Sequence, residues 1–170
     1  MGKRYDDLPG QDYKGQIEVI QEPDVINEAA CLNKYFVEYR DSGAVLCFLS
    51  ARDNLLHANT ISAVVERIKK TDCDVVYTDN VVNDGVCKQQ YFPSANIQAI
   101  RNMIVNTILF IKMGDIKYRV REDLHYLYPY ALLKSSIGSC LCEHVAEPHS
   151  YTTVETDKNL KEDIKKILNA

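Results

Sequence analysis

The sequence contains no long apolar run and no excess of basic residues, and these two absences exclude whole classes of protein. Its longest apolar stretches, such as residues 108–111, are far shorter than the ~20 residues of a membrane-spanning helix. The polar residues 1–7 are not followed by the apolar core of a secretory signal. The 20 lysines and arginines are scattered and outnumbered by 24 acidic residues. We therefore predict a cytoplasmic protein that binds no nucleic acid and meets membranes only peripherally or through a partner.

Glycine is scarce, and neither the cysteines nor the histidines show the spacing of metal ligands. The seven glycines form no phosphate-binding glycine-rich loop and no Gly-x-Ser-x-Gly elbow. Among the six cysteines there is no C-x-x-C pair; Cys140 and Cys142 alternate as in a strand, and Cys31 and Cys47 lie in apolar segments. Reduced thiols are therefore favoured over a disulfide framework or a zinc site. The four histidines are predicted to be structural or solvated.

Patterns typical of strands and of helices alternate along the chain. Strand patterns occupy residues 16–20, 44–49, 74–78, 107–112 and 139–145, and helical patterns occupy residues 24–40, 58–70, 122–135 and 159–168. Residues 96–103 are ambiguous and fit a short helix best. Asp24 is the predicted cap of the first helix, and Pro129 is expected to kink or interrupt the fourth. Asn83, Asp84 and Gly85 predict a hairpin turn into a strand over residues 86–92.

This alternation predicts one α/β domain over residues 16–170, preceded by a loose polar leader over residues 1–15. We expect a mixed, mostly parallel sheet flanked by helices, and the unbroken apolar run 44–49 is typical of a central strand covered on both faces. Ligands of such sheets bind beyond the carboxyl ends of the strands. The loops after Leu49 and Thr78 are therefore the first places to look for a site.

Several segments resemble a known family, and they occur in the family's order. They are Asn-Glu-Ala-Ala-Cys-Leu-Asn at 27–33, Phe-Leu-Ser-Ala-Arg-Asp-Asn-Leu-Leu at 48–56, Cys-Asp-Val-Val-Tyr-Thr-Asp at 73–79, Arg-Glu-Asp-Leu at 121–124 and Pro-His-Ser-Tyr-Thr at 148–152. Together they span about residues 16–153 and resemble the family 2 type of nucleotide-sugar glycosyltransferases, which have the GT-A fold. The resemblance implies transfer of a sugar from a nucleoside-diphosphate sugar to a glycan or glycoconjugate acceptor, in surface-polysaccharide or glycoconjugate biosynthesis.

The resemblance also implies a catalytic carboxylate. An inverting transfer needs a base that takes the proton of the acceptor hydroxyl. By their position in the motif, Asp123, or Glu122 beside it, would be that base. A purely structural reading stands beside this one, because acidic residues in the first turn of a helix are stabilised by its dipole.

Donor binding is implied for Arg52, Asp53, Asp79 and His149. In the loop that corresponds to residues 50–53 of this chain, family members carry acidic residues that hold a divalent cation, Mn²⁺ or Mg²⁺. The cation neutralises the charge of the leaving diphosphate. Here Ser50 and Arg52 stand where the family carries two of those acids, which leaves Asp53 as the implied metal ligand. A guanidinium repels a cation. It can instead clamp a diphosphate directly, or it can pair with an acid in a site that has lost its function.

The family's first two strands, which hold the nucleotide, have no counterpart in the sequence. We therefore expect a truncated GT-A-like sheet with an open edge, covered by a partner chain or by a second copy in a homo-oligomer. Besides an active enzyme, two readings stay open. One is a non-catalytic glycosyltransferase-like module, a pseudo-enzyme or fragment that acts in protein interaction. The other is an unrelated α/β regulatory domain, which a large separation of Asp53 and Asp123 would favour.

Overall fold

The structure, a computed structural model, describes residues 3–5, 10–103, 107–153 and 158–169. The strands in these ranges are β1 (Lys3–Tyr5), β2 (Val19–Gln21), β3 (Val45–Cys47), β4 (Asp53–Leu55), β5 (Val75–Asn83), β6 (Cys87–Gln90), β7 (Leu109–Lys112) and β8 (Cys142–Thr153). The helices are α1 (Glu28–Glu38), α2 (Thr60–Thr71), α3 (Ile97–Asn102), α4 (Tyr128–Ser136) and α5 (Lys158–Leu168). The chain is therefore an α/β protein, as predicted.

The main sheet has the strand order β3-β7-β5-β8-β4, and β6 pairs with the second half of β5. Strands β5 and β8 run parallel, whereas the pairs β3–β7, β5–β7, β5–β6 and β4–β8 are antiparallel. Strands β1 and β2 form a separate antiparallel pair. The sheet is mixed, as predicted, but the expectation of a mostly parallel sheet is wrong. An apolar run indicates where a strand lies and leaves its direction undetermined, and here the short strands pair antiparallel around the long parallel pair.

Helices cover both faces of this sheet. Side chains alternate between the faces of a strand, so Val75 and Tyr77 of β5 pack in the core under α1 and α4. Val76, which lies between them, packs with Val64 and Ile68 of α2 on the opposite face. The two buried clusters explain why residues 75–80 are buried without a break.

Strand β3 lies at one end of the sheet. Among the described residues it pairs only with β7, and Cys47 is exposed while Val45 and Leu46 are partly buried. The prediction of a central strand from the apolar run 44–49 is therefore wrong. The run is apolar because alternate residues face the two cores, Leu46 and Phe48 towards α1 and α4 and Val45 towards α2.

Two helix starts differ from the predictions. Helix α1 is capped by Asn27, whose side-chain oxygen accepts a hydrogen bond from the Ala30 amide at 2.9 Å, and Asp24 lies outside the helix. Helix α4 begins at Tyr128, so residues 122–127 are not helical and Pro129 lies in its first turn. Proline is tolerated there because the first amides of a helix have no acceptor within the helix. Pro129 therefore opens a helix that we expected it to interrupt.

Other elements refine the prediction. The hairpin turn over residues 83–85 is confirmed: Gly85 has φ of 104°, and its amide donates to the Asn83 side chain at 3.0 Å. The polar loop after β3 contains the short strand β4, and β8 continues to Thr153, well beyond the predicted end at residue 145. β4 escaped detection because a three-residue polar strand has no hydrophobic alternation.

Gln11 and Asp12 of the polar leader make hydrogen bonds to the region around the start of α2. Gln11 spans the start of α2, because its side-chain nitrogen donates to the His57 carbonyl at 2.8 Å and its side-chain oxygen accepts from the Ile61 amide at 3.1 Å. Ser62 donates to the Asp12 carboxylate at 2.8 Å. In the ranges that the structure describes, no helix is both long and apolar enough to cross a membrane.

Candidate functional site

Several chemically capable side chains surround a cavity of about 70 Å³. It lies where the loop after β3 meets the starts of α1 and α4 and the end of β8. Its polar lining comprises Glu28, Ser50, Arg52, Asp53, Thr107, Tyr126, Tyr128, Thr152 and Thr153, and its apolar wall includes Leu32, Leu46, Phe48, Leu109 and Leu132. A cavity of this size holds about five water molecules, or one group of similar bulk.

Asp53 links the loop over residues 50–53 to β8 through hydrogen bonds. One carboxylate oxygen of Asp53 accepts from the Ser50 amide at 3.0 Å, and the other accepts from the Thr152 hydroxyl at 2.7 Å. The Arg52 amide donates to the Ser50 hydroxyl at 3.2 Å, and the Thr153 amide donates to the Arg52 carbonyl at 3.0 Å. Asp53 therefore fixes the loop to β8, and both of its oxygens are already engaged.

Arg52 extends from this loop into the cavity and rests on an aromatic ring. Its guanidinium carbon lies 3.9 Å from the centroid of the Tyr126 ring, a cation–π contact. Its terminal nitrogen lies 3.8 Å from a carboxylate oxygen of Glu28. A guanidinium positioned in this way presents fixed hydrogen-bond donors to whatever enters the cavity.

Glu28, the first residue of α1, is the second charged group of the cavity. Its carboxylate accepts from the Tyr128 hydroxyl at 3.2 Å. Burial raises the pKa of Glu28 above its ordinary value, and neither the attraction of Arg52 nor the Tyr128 hydrogen bond fully offsets that effect. Burial, followed by the charge of Glu28, raises the pKa of Tyr128. The cavity thus holds a carboxyl group that takes up a proton more readily than an ordinary glutamate.

The wall that carries Tyr126 is anchored by a buried carboxylate of α5. Asp163 is fully buried and accepts hydrogen bonds from the amides of His125, Tyr126 and Leu127 at 2.7–3.1 Å. These amides precede α4, whose N-cap, Leu127, has no side chain able to cap. Asp163 of α5 therefore caps α4 and fixes the position of Tyr126, the ring on which Arg52 packs.

The predicted catalytic acids do not line this cavity. Asp123 is exposed and pairs with Arg121 at 2.7 Å, and this hydrogen bond lowers the pKa of Asp123. Glu122 is also exposed, and its carboxylate accepts from the Asn33 side chain at 2.8 Å. The two acids lie in the non-helical segment before α4, so the expectation that they open a helix is wrong.

The two asparagines of the motif at residues 27–33 connect α1 to the segment that carries Glu122 and Asp123. Asn27 donates to the Glu122 carbonyl at 2.9 Å. Asn33 both donates to the Val120 carbonyl at 3.0 Å and accepts from the Val120 amide at 2.8 Å. Side chains of α1 thus hold residues 120–122 in place, and the motif has a structural role in this chain.

Asp79, predicted to bind the donor, lies inside the sheet. It is 1% exposed, accepts from the Phe92 amide at 2.8 Å and lies 2.8 Å from the Nε2 atom of His144. The His144 ring in turn stacks on Tyr77, with their centroids 4.9 Å apart. Asp79 is buried among these neighbours and does not line the cavity.

His149 is likewise buried, on the side of β8 that faces α2. Its Nδ1 atom lies 3.2 Å from the Thr60 hydroxyl, and its Nε2 atom lies 3.4 Å from the Glu147 carboxylate. Burial lowers the pKa of His149, which favours the neutral ring. Of the four predicted donor-binding residues, the structure therefore brings together Arg52 and Asp53.

The residues at the loop do not fit a divalent cation held by carboxylates. Ser50 and Arg52 supply no carboxylate, and both oxygens of Asp53 accept hydrogen bonds within the protein. Across the described ranges, no group of three or more histidine, cysteine, aspartate or glutamate side chains is arranged to hold a metal ion. The chemistry of the site therefore has to be derived from Arg52 and Glu28.

The comparisons with known proteins add no family. No protein-family model matches the chain, and no curated protein sequence matches it. The class is defined by the structure alone: an α/β domain with a mixed sheet and an arginine-containing cavity at the end of a strand.

Proposed function

We propose that the chain is a glycosyltransferase-like domain of the family 2 type that binds a nucleoside-diphosphate sugar, with Arg52 as the contact for the diphosphate. The observation that carries the proposal is the position of Arg52. Its guanidinium is held over the Tyr126 ring in the cavity, in the loop where the motif predicts the diphosphate. Arginine binds phosphate oxygens in a bidentate manner, so it can replace the charge that a cation would supply.

The volume of the cavity limits which part of the ligand enters it. Pockets that enclose whole small molecules measure about 300 Å³ or more, whereas this cavity measures about 70 Å³. It accommodates a phosphate group, and the rest of the donor extends over the surface outside. The affinity of the isolated chain is therefore expected to be modest.

The cavity also contains a competitor for the same arginine. Glu28 lies 3.8 Å from Arg52 and repels an incoming phosphate when it is ionised. Its raised pKa lowers the cost of protonation. Binding of a diphosphate therefore goes together with proton uptake by Glu28.

Isothermal titration with UDP, GDP, ADP and their sugars, with and without Mn²⁺, tests the proposal. We expect one nucleotide to bind with a dissociation constant of about 1–100 µM, with no dependence on Mn²⁺. Arg52→Ala should weaken binding at least about tenfold, whereas Arg67→Ala, an arginine of α2 paired with Glu143, should leave it unchanged. The proposal fails if folded protein binds none of these nucleotides, or binds them equally well without Arg52.

Sugar transfer itself is the second candidate function, and Glu28 is the observation that favours it. Burial raises the pKa of Glu28, so its carboxyl group, which is protonated when the diphosphate binds, can act as a general acid that returns the proton to the departing nucleoside diphosphate. Release of nucleoside diphosphate in the presence of a glycan acceptor would report transfer, and Glu28→Gln should abolish the release without abolishing binding. Binding without any release would favour the non-catalytic module.

A further inference from the structure

A second chemically capable cluster lies away from the cavity, where the chain enters β8. The backbone of Leu141 is fixed there on both sides: its amide donates to the Asp74 carboxylate at 2.9 Å, and its carbonyl accepts from the amides of Asp74 and Val75 at 2.8 and 3.1 Å. The Leu141 side chain is 62% exposed. The residues on either side of it, Cys140 and Cys142, direct their sulfur atoms to the same side, 3.8 Å apart.

Both cysteines are free thiols and both are partly exposed. One thiol of such a pair can donate its proton to the other sulfur, so that the pair shares one proton after the first is lost. This hydrogen bond lowers the pKa of Cys140 and raises that of Cys142. A thiolate is therefore formed at Cys140 more easily than at an isolated cysteine, with a thiol next to it.

A buried tyrosine hydroxyl lies beside this pair, close to the Cys140 sulfur. The hydroxyl of Tyr118 is buried and has no hydrogen-bond partner among the described residues. Burial, followed by the nearby Cys140 sulfur, raises the pKa of Tyr118, so the hydroxyl keeps its proton. It is available to donate to negative charge or to an oxygen that develops on Cys140.

We propose that Cys140 and Cys142 form an oxidation site at which hydrogen peroxide converts the two thiols into an intrachain disulfide. The Cys140 thiolate attacks one oxygen of the peroxide; an S–O bond forms, the O–O bond breaks, and the departing hydroxide takes a proton to become water. The Cys142 sulfur then attacks the Cys140 sulfur. The S–S bond forms, the S–O bond breaks, and the hydroxyl leaves as water with the Cys142 proton. Two thiols and one peroxide thus give one disulfide and two waters.

The disulfide should be easy to reduce. The sulfurs must approach from 3.8 Å to about 2.05 Å, and a ring closed across one intervening residue is small. Strained and partly exposed disulfides have higher reduction potentials than structural ones. The site therefore suits reversible modification rather than permanent stabilisation.

Peroxide treatment of the full chain followed by mass spectrometry tests the proposal. The tryptic peptide of residues 135–158 contains both cysteines and no others. After brief exposure to stoichiometric hydrogen peroxide, it should lose the mass of two hydrogen atoms and regain it with dithiothreitol. This oxidation should be at least about tenfold faster than that of Cys87, an exposed cysteine on β6.

Two variants separate the steps. Cys142→Ser should stop the reaction at the sulfenic acid, which dimedone traps on Cys140, whereas Cys87→Ser should leave disulfide formation unchanged. Circular dichroism of each variant checks that it is folded. The proposal is overturned if the peptide 135–158 stays reduced while Cys87 is oxidised. It is equally overturned if Cys140 and Cys142 form disulfides only with other cysteines.

Discussion

At the scale of single residues, the charge of the cavity depends on one proton. Both oxygens of Asp53 accept hydrogen bonds from Ser50 and Thr152, so its charge is partly neutralised within the loop. Arg52 therefore faces Glu28 as its main counter-ion. An ionised Glu28 competes with an anionic ligand for Arg52, and a protonated Glu28 does not.

Replacing Glu28 by glutamine should therefore strengthen the binding of the nucleoside diphosphate. The expected gain at about pH 7 is about 1.5-fold to fivefold, which corresponds to the ~0.2–1 kcal/mol of one partly exposed charge pair. Because the pKa of Glu28 is raised, affinity of the unmodified chain should rise as the pH falls from about 7 to about 5. Titration calorimetry at several pH values measures both effects, with a nucleoside-diphosphate sugar as the ligand because its esterified diphosphate, unlike the terminal phosphate of a free nucleoside diphosphate, does not titrate in this range.

The matched control is Glu38→Gln, at the other end of α1, which should change neither the affinity nor its pH dependence. In Glu28→Gln the pH dependence should be lost, since the titrating group is gone. Weaker binding in Glu28→Gln, or an unchanged pH profile, would contradict competition between Glu28 and the ligand.

Asp79 offers a test of stability independent of the cavity. Asp79→Ala removes the acceptor for the Phe92 amide and the partner of the buried His144. The loss should lower the free energy of unfolding by about 3 kcal/mol, because one partner of a buried polar pair is left unpaired. Urea unfolding measures it. As the control, Asp84→Ala at an exposed position should lower the free energy of unfolding by less than about 1 kcal/mol. Equal losses of stability in the two variants would show that the burial of Asp79 is not what makes its substitution costly.

Only part of this site could be predicted from the sequence. Arg52 and Asp53 were recognisable because a local motif carries them, and the structure places both at the cavity. Glu28 and Tyr126 reach Arg52 only through the packing of α1 and of the segment before α4, so no sequence spacing indicates their contact. Asp79 matched its motif equally well, yet its side chain is buried within the sheet. The motif could not show this, because position in a motif does not reveal towards which face of a strand a side chain points.

At the scale of elements, the start of α4 depends on α5. Asp163 accepts from three successive amides and supplies the cap that Leu127 cannot. This contact also positions Tyr126, on which Arg52 rests. The geometry of the cavity is thus coupled to a helix distant in sequence.

Asp163→Ala should release this segment and weaken the site. Leaving the amides of residues 125–127 without an acceptor should cost about 2–4 kcal/mol of unfolding free energy and remove their protection from hydrogen exchange. Nucleotide affinity should fall too, because Tyr126 no longer holds the Arg52 guanidinium in position. Hydrogen exchange and titration calorimetry measure these effects, with the exposed Lys161→Ala as the control. Unchanged exchange at residues 125–127 would exclude the capping role.

The elements show where sequence patterns succeed and where they stop. Helix α2 was located well because its apolar residues recur at the helical period. The apolar run at residues 74–78 located only the first part of β5, which continues to Asn83. The start of α4 was missed because the acids at residues 122–123 resemble a first turn, while the cap comes from Asp163 in another helix. Strand direction was missed because it depends on connections and pairing, which periodicity does not encode.

At the scale of the whole molecule, the sheet has an apolar edge. The Ala44 carbonyl accepts from the Met113 amide, so by antiparallel alternation Val45 and Cys47 direct their backbone groups away from β7. Among the described residues no backbone bond covers that side of β3. The other outer strands are more polar, with sequences Asp-Asn-Leu in β4 and Cys-Lys-Gln-Gln in β6. β3 is therefore the edge best suited to pair with another strand.

We propose that a second copy of the chain pairs with β3, since two antiparallel β3 strands related by a two-fold axis satisfy the same backbone groups on both sides. Sedimentation velocity should then show a monomer–dimer equilibrium with a dissociation constant of about 10–100 µM. Cys47→Lys places a charge on the exposed side of this edge and should shift the equilibrium to monomer, because lysine opposes edge pairing. Cys87→Lys on β6 should leave the dimer intact. A monomer at all concentrations, or equal effects of the two substitutions, would exclude pairing through β3.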